Sequence, residues 1–194
     1  MCEIVKEIKE NRNYDFSEFF ENDKIEEVAG KILEYFKINE YPVPIVSIAK
    51  KIGFKSFAKE LPKDLSGIIA IDIDLKSIFE TDKIMLINVL DNPGHRKFTM
   101  AHELGHYIFD FNEKEETTYY DAYNTDDEST SSDKEKRANR FAAALLMPKD
   151  EFSSSYQDFK NKYKTKFEIV NSLCDKFAVS RTAVEKRMAE LSIE

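Results

Sequence analysis

With only two cysteines in 194 residues, Cys2 and Cys174, this chain has no disulfide framework to lean on. The two lie far apart, in no paired spacing and beside no histidine, so free thiols in a reducing cytoplasm are the expectation. Long apolar runs are missing as well: no stretch approaches the ~20 residues that a membrane-spanning helix needs. The opening "MCEIVKEIKENRN" alternates apolar and charged residues and lacks the apolar core of a signal peptide. Positive charge is in deficit. Against 37 Asp and Glu stand 29 Lys and Arg, and the net charge of -8 argues against a protein that coats nucleic acid through bulk electrostatics. Only a local basic face remains open to such contact. Internal repeats and coiled-coil heptads are absent too. A cytoplasmic protein with no membrane attachment is the expectation.

The hydrophobic share of 42% supplies a core, which argues against wholesale disorder. Ile25, Val28, Ile32, Leu33 and Phe36 recur at helical spacing, with Asn22 or Asp23 as cap. "PIVSIAKKIGF" reads as a short helix that starts at Pro44 and is stopped by Gly53. The period then changes. "FKSFAKE", "SGIIAIDID" and "DKIMLINV" read as three strands of a small antiparallel sheet. Helical spacing returns near Phe98, gives way to the acidic segment "NEKEETTYYDAYNTDDESTSSD", which reads as a long loop, and resumes in "KEKRANRFAAALLMP" before Pro148. Helices continue through "KDEFSSSYQDFKN", "KFEIVNSLCDKFAV" and "SRTAVEKRMAELS". The expected division is a domain over 1–150 and a C-terminal helical region over 151–194.

Histidine is nearly as scarce as cysteine, yet two of its three residues sit in "MAHELGHYIF" four positions apart, at His102 and His106. Four residues advance a helix by about 400°, so both project from nearly one face, roughly 6 Å apart. Two imidazoles so placed can converge on one ion. Glu103, about 100° round the helix from His102, flanks such an ion rather than binding it and can take a proton from an attacking water. This is the HExxH arrangement of zinc peptidases. The bland alternative is two ordinary histidines, but Phe98, Ala101, Leu104, Ile108 and Phe109 make the helix apolar round much of its circumference, where unpartnered polar groups are costly. Gly105 inside the helix costs about 1 kcal/mol against Ala, and close approach by another element would account for it.

A catalytic zinc takes three protein ligands and keeps one position open. His95 stands seven residues before His102, two turns away and too far to join. A carboxylate is expected instead. In "EKRANRFAAALLMP" the apolar stripe runs through Ala138, Phe141, Ala142 and Leu145, and Glu135 extends it, while Lys134, Lys136, Arg137 and Arg140 lie mostly off it. Glu135 is therefore the candidate third ligand, with Asp133 as its rival; the alternative is a solvated first-turn acid favoured by the helix dipole.

These two stretches, "RKFTMAHELGHYIF" and "EKRANRFAAALLMP", resemble the ImmA/IrrE family of metallopeptidases, whose members carry an AHELGH-like helix and a glutamate helix of the form ExxANxFAAxLLMP. Looser likeness extends upstream through "YPVPIVSIAKKIGF", "LSGIIAID" and "KIMLINV", and downstream to "FAVSRTAVEKRMAEL". The resemblance implies an α+β, compact, gluzincin-like fold with one zinc per chain, His102, His106 and Glu135 as ligands and Glu103 as general base. Many members have an acidic residue directly before the Ala of the second motif, where this chain has Arg137. The acidic segment from Glu113 to Asp133 is longer than usual for the family.

The last two helical stretches fit a helix-turn-helix, joined near Ala178–Ser180, with Ser180 as N-cap and Phe167, Val170, Leu173, Phe177, Val179, Val184, Met188 and Leu191 as a small core. The second helix would present Arg181, Lys186 and Arg187, but Glu185 and Glu190 dilute that charge, so helix-turn-helix shape is expected without DNA binding; the alternative is a helical pair that packs on the peptidase or docks a protein partner. The functional expectation is a zinc-dependent endopeptidase of narrow specificity. The family resemblance points to a helix-turn-helix transcriptional repressor of a phage or integrative mobile element as its protein substrate. The alternative is a zinc-containing regulator-binding protein, or a toxin–antitoxin component, acting without proteolysis. For the oxyanion, the sequence leaves His95, Arg96, Tyr107, Tyr119, Tyr120 and Tyr123 open.

Overall fold

The computed structural model describes residues 2–11, 22–111, 117–122 and 133–193. In chain order these form α1 (Glu3–Glu10), α2 (Asn22–Tyr35), α3 (Ile45–Ile52), β1 (Lys55–Lys59), β2 (Leu65–Ile71), a one-turn α4 (Lys76–Phe79) and β3 (Lys83–Asn88). There follow α5 (Pro93–Phe109), β4 (Thr117–Ala122), α6 (Asp133–Leu146), α7 (Lys149–Lys162), α8 (Lys166–Phe177) and α9 (Arg181–Glu190). No described helix is long and apolar enough to cross a membrane. The opening alternation conceals a helix: in α1, Ile4, Val5 and Ile8 share one face and are all buried. Gly53 ends α3 at φ 117°, its N–H closing on the Ala49 carbonyl at 3.1 Å, a left-handed cap that glycine takes without strain.

The three expected strands form, but the sheet is neither three-stranded nor wholly antiparallel. Its order is β1-β3-β2-β4, with β1 and β3 parallel and β2 antiparallel to both neighbours. Burial explains the order. β3 hides Ile84, Met85, Ile87 and Asn88, residues from both of its faces, and so takes an inner place. β1 buries nothing, carries a lysine at each end and takes an edge. The fourth strand comes from the acidic segment: "TTYYDA" is rich in β-prone Thr and Tyr, but its charged flanks make it read as loop.

α5 starts where local chemistry dictates. The Asn92 side chain accepts from the His95 N–H at 2.9 Å, and Pro93 occupies the first turn. β2 and β3 pack on this helix, and α6 packs along it as well. A Cβ on Gly105 would sit 3.1 Å from the Ala138 Cα and from the Phe141 ring, so the close approach that would account for this glycine is made by α6. One continuous apolar cluster then runs from α1 to α9, through Leu104, Tyr107, Phe141, Leu145, Phe152 and Phe177.

The last two helices meet at a turn as expected, with the Ser180 hydroxyl accepting from the Ala183 N–H at 3.2 Å. Two expected side-chain placements are corrected. Phe167 is 62% exposed, under the Arg181 guanidinium, because it stands in the first turn of α8 beyond the reach of α9's apolar face. Arg187 is buried, donating to the Met147 carbonyl at 3.0 Å and to Glu26 at 2.9 Å. Of the three cations a DNA-reading helix would present, one is thus spent on holding α9 to α2. Arg181 pairs with Glu185 at 2.8 Å.

The helix starts and contacts generate a paired expectation. A Cβ on Gly94 would sit 2.9 Å from the Ser180 backbone nitrogen, whereas one on Gly30, exposed in α2, would meet nothing within 4 Å. Gly94→Ala should destabilise the fold by about 1–3 kcal/mol through overpacking. Gly30→Ala should stabilise it by about 0.5–1 kcal/mol through helix propensity. Urea unfolding of the two variants checks both signs.

Candidate metal centre

Helical repeat places His102 and His106 one turn apart on α5, both with 2% exposure. Their rings stand edge to face, and the two Nε2 atoms are 3.0 Å apart. From α6, Glu135 brings one oxygen to 3.2 Å from His102 Nε2 and the other to 3.3 Å from His106 Nε2. Among the described residues these three form the group of His, Cys, Asp and Glu able to hold a metal ion, with ligand atoms all within 4.8 Å of one another. A tetrahedron with metal–ligand bonds of 2.0–2.1 Å has edges of about 3.3–3.4 Å. The two carboxylate contacts, one from each Glu135 oxygen, approach those edges, and the 3.0 Å between the imidazole nitrogens falls short by about 0.3 Å, so the donor set fits a divalent ion with a slight spreading of the rings. Asp133, the rival acid, is exposed at the start of α6 and stands outside the cluster.

The other nitrogen of each ring is tied down. His102 Nδ1 donates to Asn139 Oδ1 at 2.9 Å, and His106 Nδ1 to Asp110 Oδ2 at 2.9 Å. With a proton on each Nδ1, each Nε2 turns a lone pair into the cluster. Arg137 is buried rather than off the core stripe, and its guanidinium pairs with Asp110, whose side chain is 1% exposed. Neither Asp110 nor Asn139 stands out in the sequence, and Arg137 does so only as a departure from the family pattern. Asp110 could have been found, since it extends the four-residue spacing of His102 and His106; Asn139 likewise stands four residues after Glu135.

Two pKa values respond to this packing. Burial pushes His106 down, but the carboxylates of Asp110 and Glu135 outweigh it and hold the imidazole up at about 9. Burial would raise Glu135, and the two imidazoles instead hold it well below the usual carboxylate range.

Glu103 is fully buried on the side of α5 that meets β2. Gly67 makes the room: a Cβ there would sit 2.9 Å from Glu103 Oε1 and 2.5 Å from Thr99 Cγ2. Of the oxyanion candidates, Tyr107 is removed from the site, fully buried with its ring against Phe54 and its hydroxyl bonded by Lys83 at 3.2 Å. His95 lies two turns from His102 with its Nε2 3.0 Å from the Ser66 hydroxyl, and Arg96 follows it in the first turns of α5. Tyr119 and Tyr120 stand on β4, and Tyr123 lies outside the described residues.

Residues 68–189 match the peptidase M78 family, described as an IrrE N-terminal-like domain. The chain belongs to this ImmA/IrrE family. The match takes in every residue of the His/His/Glu cluster, with Glu103, and leaves α1–α3 and β1 outside it. No curated protein matches the chain. Among solved structures, a Mycobacterium tuberculosis transcriptional regulator is similar in fold, with a TM-score of 0.54 and 15% identity. The likeness covers 97% of this chain and 52% of that one, so this chain spans about half the length of the regulator it matches.

For this family member, the proton on His106 sets how a metal binds. Its raised pKa of about 9 means that the metal-free cluster holds a proton at neutral pH, which an incoming ion must displace. The protonated form is lost as pH rises through that value, so metal affinity should climb with pH below it. Zinc affinity measured by chelator competition should rise about tenfold from pH 7 to pH 8. Equal affinities at the two pH values would show that no proton is displaced.

Proposed function

We propose that this chain is a zinc-dependent endopeptidase of narrow specificity, with His102, His106 and Glu135 as metal ligands and Glu103 as general base. The observation that carries the reading is the facing pair of Nε2 lone pairs, 3.0 Å apart and bridged by Glu135. A zinc ion held there would supply Lewis acidity and a water of lowered pKa. The remaining steps belong to the chain's own groups. Asp110 and Asn139 fix both imidazole tautomers and ring orientations, so that the Nε2 positions are set before any ion arrives. The Glu103 carboxylate, one residue after a ligand and round the helix from it, takes the proton of the attacking water and returns it to the leaving amine. Its packing against Gly67 limits the rotamers it can take.

The gluzincin-like character rests on the third ligand being a glutamate from a helix downstream of HExxH. The region 1–150 would carry the active site, and 151–194 would form a C-terminal helical appendage. The proposed substrate is a helix-turn-helix transcriptional repressor of a phage or integrative mobile element, cleaved in the cytoplasm. Family resemblance supports this, and the fold neighbour titled a transcriptional regulator agrees with a role in gene control. With Arg187 buried and Arg181 paired to Glu185, direct DNA binding by α9 loses its main cations.

Glu103→Gln separates the roles. Gln keeps size and hydrogen bonding but takes no proton, and loss of a general base typically costs 10²–10⁴-fold in rate. The variant should keep one zinc per chain by elemental analysis and lose cleavage of its repressor substrate by about that factor. A variant that loses its zinc would make Glu103 a ligand or a support of one. Full biological activity in the variant would mean that the protein acts by binding.

A further inference from the structure

β2 offers hydrogen bonds on two sides. One side pairs with β3; the other is taken by β4, antiparallel, with Gly67 opposite Asp121 and Ile69 opposite Tyr119. Gly67 is also the residue against which Glu103 rests. Round α5, Tyr107 lies on the β3 side, bonded by Lys83, and Glu103 lies on the β2 side. At about 100° per residue, His106 and His102 follow in the same sense of rotation, beyond Thr99, which also packs against Gly67. The sheet continues in that same order, β3, β2, β4, and β4 too lies against α5. One further strand spacing of about 4.8 Å therefore carries β4 towards the face that bears the histidines. The β2–β4 register also slips between Leu65 and Gly67, so the pairing is irregular beside Glu103.

An extended peptide whose scissile bond must reach Glu103 would use this same side of β2, adding itself as a strand. We propose that β4 is an internal pseudo-substrate: residues 117–122 occupy the β2 edge on which an extended segment of a protein substrate pairs, and they leave it when substrate enters. This rests on the reading of Glu103 as general base. Main-chain hydrogen bonds supply the docking on that edge, so an extended conformation is what the substrate segment must have in common with β4. A folded helix or a compact loop would find no place there while β4 is paired.

Two experiments test the occupancy. In the unaltered zinc-loaded protein, hydrogen exchange should be at least tenfold faster for the β2 amides that bond β4 than for those that bond β3. Equal protection on both sides would make β4 a fixed strand and overturn the proposal. Next, residues 117–122 are replaced by alternating Gly and Ser, and separately by Tyr119→Pro/Tyr120→Pro, which removes two adjacent amide donors, one of them on the β2 side. A fluorescent synthetic peptide of sequence EETTYYDAYN should bind both zinc-loaded variants at least tenfold more tightly than wild type, and should restore slow exchange at Gly67–Ile71. Binding no tighter than to wild type overturns the proposal. The fate of the peptidase reading is separable through Glu103→Gln. Peptide binding to both variants, with full biological activity kept by Glu103→Gln, keeps the docking edge and sinks the peptidase reading. Cleavage lost on Glu103→Gln, with no peptide binding to either variant, sinks the docking edge alone.

Discussion

Two buried imidazole nitrogens that turn lone pairs towards each other at 3.0 Å repel unless something positive lies between them. Much of this molecule serves to keep them there. Each ring is held by its far nitrogen, to an amide oxygen in one case and a carboxylate in the other, so neither can swing away to find a donor elsewhere. The raised pKa of His106 is the same demand expressed in protons: the cluster holds a cation, and a proton is the smallest available. A divalent ion held by His102, His106 and Glu135 would meet the same demand with more charge.

Holding α5 and α6 close enough for Glu135 to complete the cluster is a packing problem before it is an electrostatic one. Gly105 removes the side chain that would hold α6 off, and the small Ala138 lies directly opposite. The roughly 1 kcal/mol that a mid-helix glycine costs is set against a contact that nothing larger allows. Charge then has to balance inside the contact. Asp110 is drawn into the interior by His106, and Arg137 follows to neutralise it. Breaking such a buried pair by removing one partner costs on the order of 3–5 kcal/mol, so the arginine that departs from the family pattern is part of the architecture that supports His106.

What could be read from the sequence was what depends on local geometry. The shared face of His102 and His106 follows from helical repeat, and the clustering of Glu135 with them agrees with the stripe through Ala138 and Phe141, read together with the HExxH pattern. The helix boundaries at Gly53 and Ser180 follow from caps. What escaped depends on partners far along the chain. β3 takes an inner place, parallel to β1 and antiparallel to β2, and that arrangement is a property of the assembled layers that no strand carries by itself. β4 escaped because composition averages over a window, and the six β-prone residues 117–122 lie in an acidic surround. Arg187 read as a surface cation because its partners, Glu26 and the Met147 carbonyl, lie at separations of 161 and 40 residues. Phe167 read as core for the converse reason, since spacing identifies an apolar face without saying how far the neighbouring helix extends.

The C-terminal helices bear on the candidate site through α5 itself. The backbone at Gly94 touches the turn at Val179–Ser180, and Lys97 donates to the Phe177 carbonyl at 3.0 Å. That carbonyl closes the last turn of α8, where the helix dipole concentrates negative charge and favours a cation. Burial presses the other way and pulls the Lys97 pKa down to about 8, so the ammonium is held at the junction by geometry as much as by charge. The first half of α5 is thereby clamped by α8 and the α8–α9 turn, and its second half by α6. His102 and His106 stand in that second half. The packing of the C-terminal helices and the geometry of the cluster are in this way joined through a single helix.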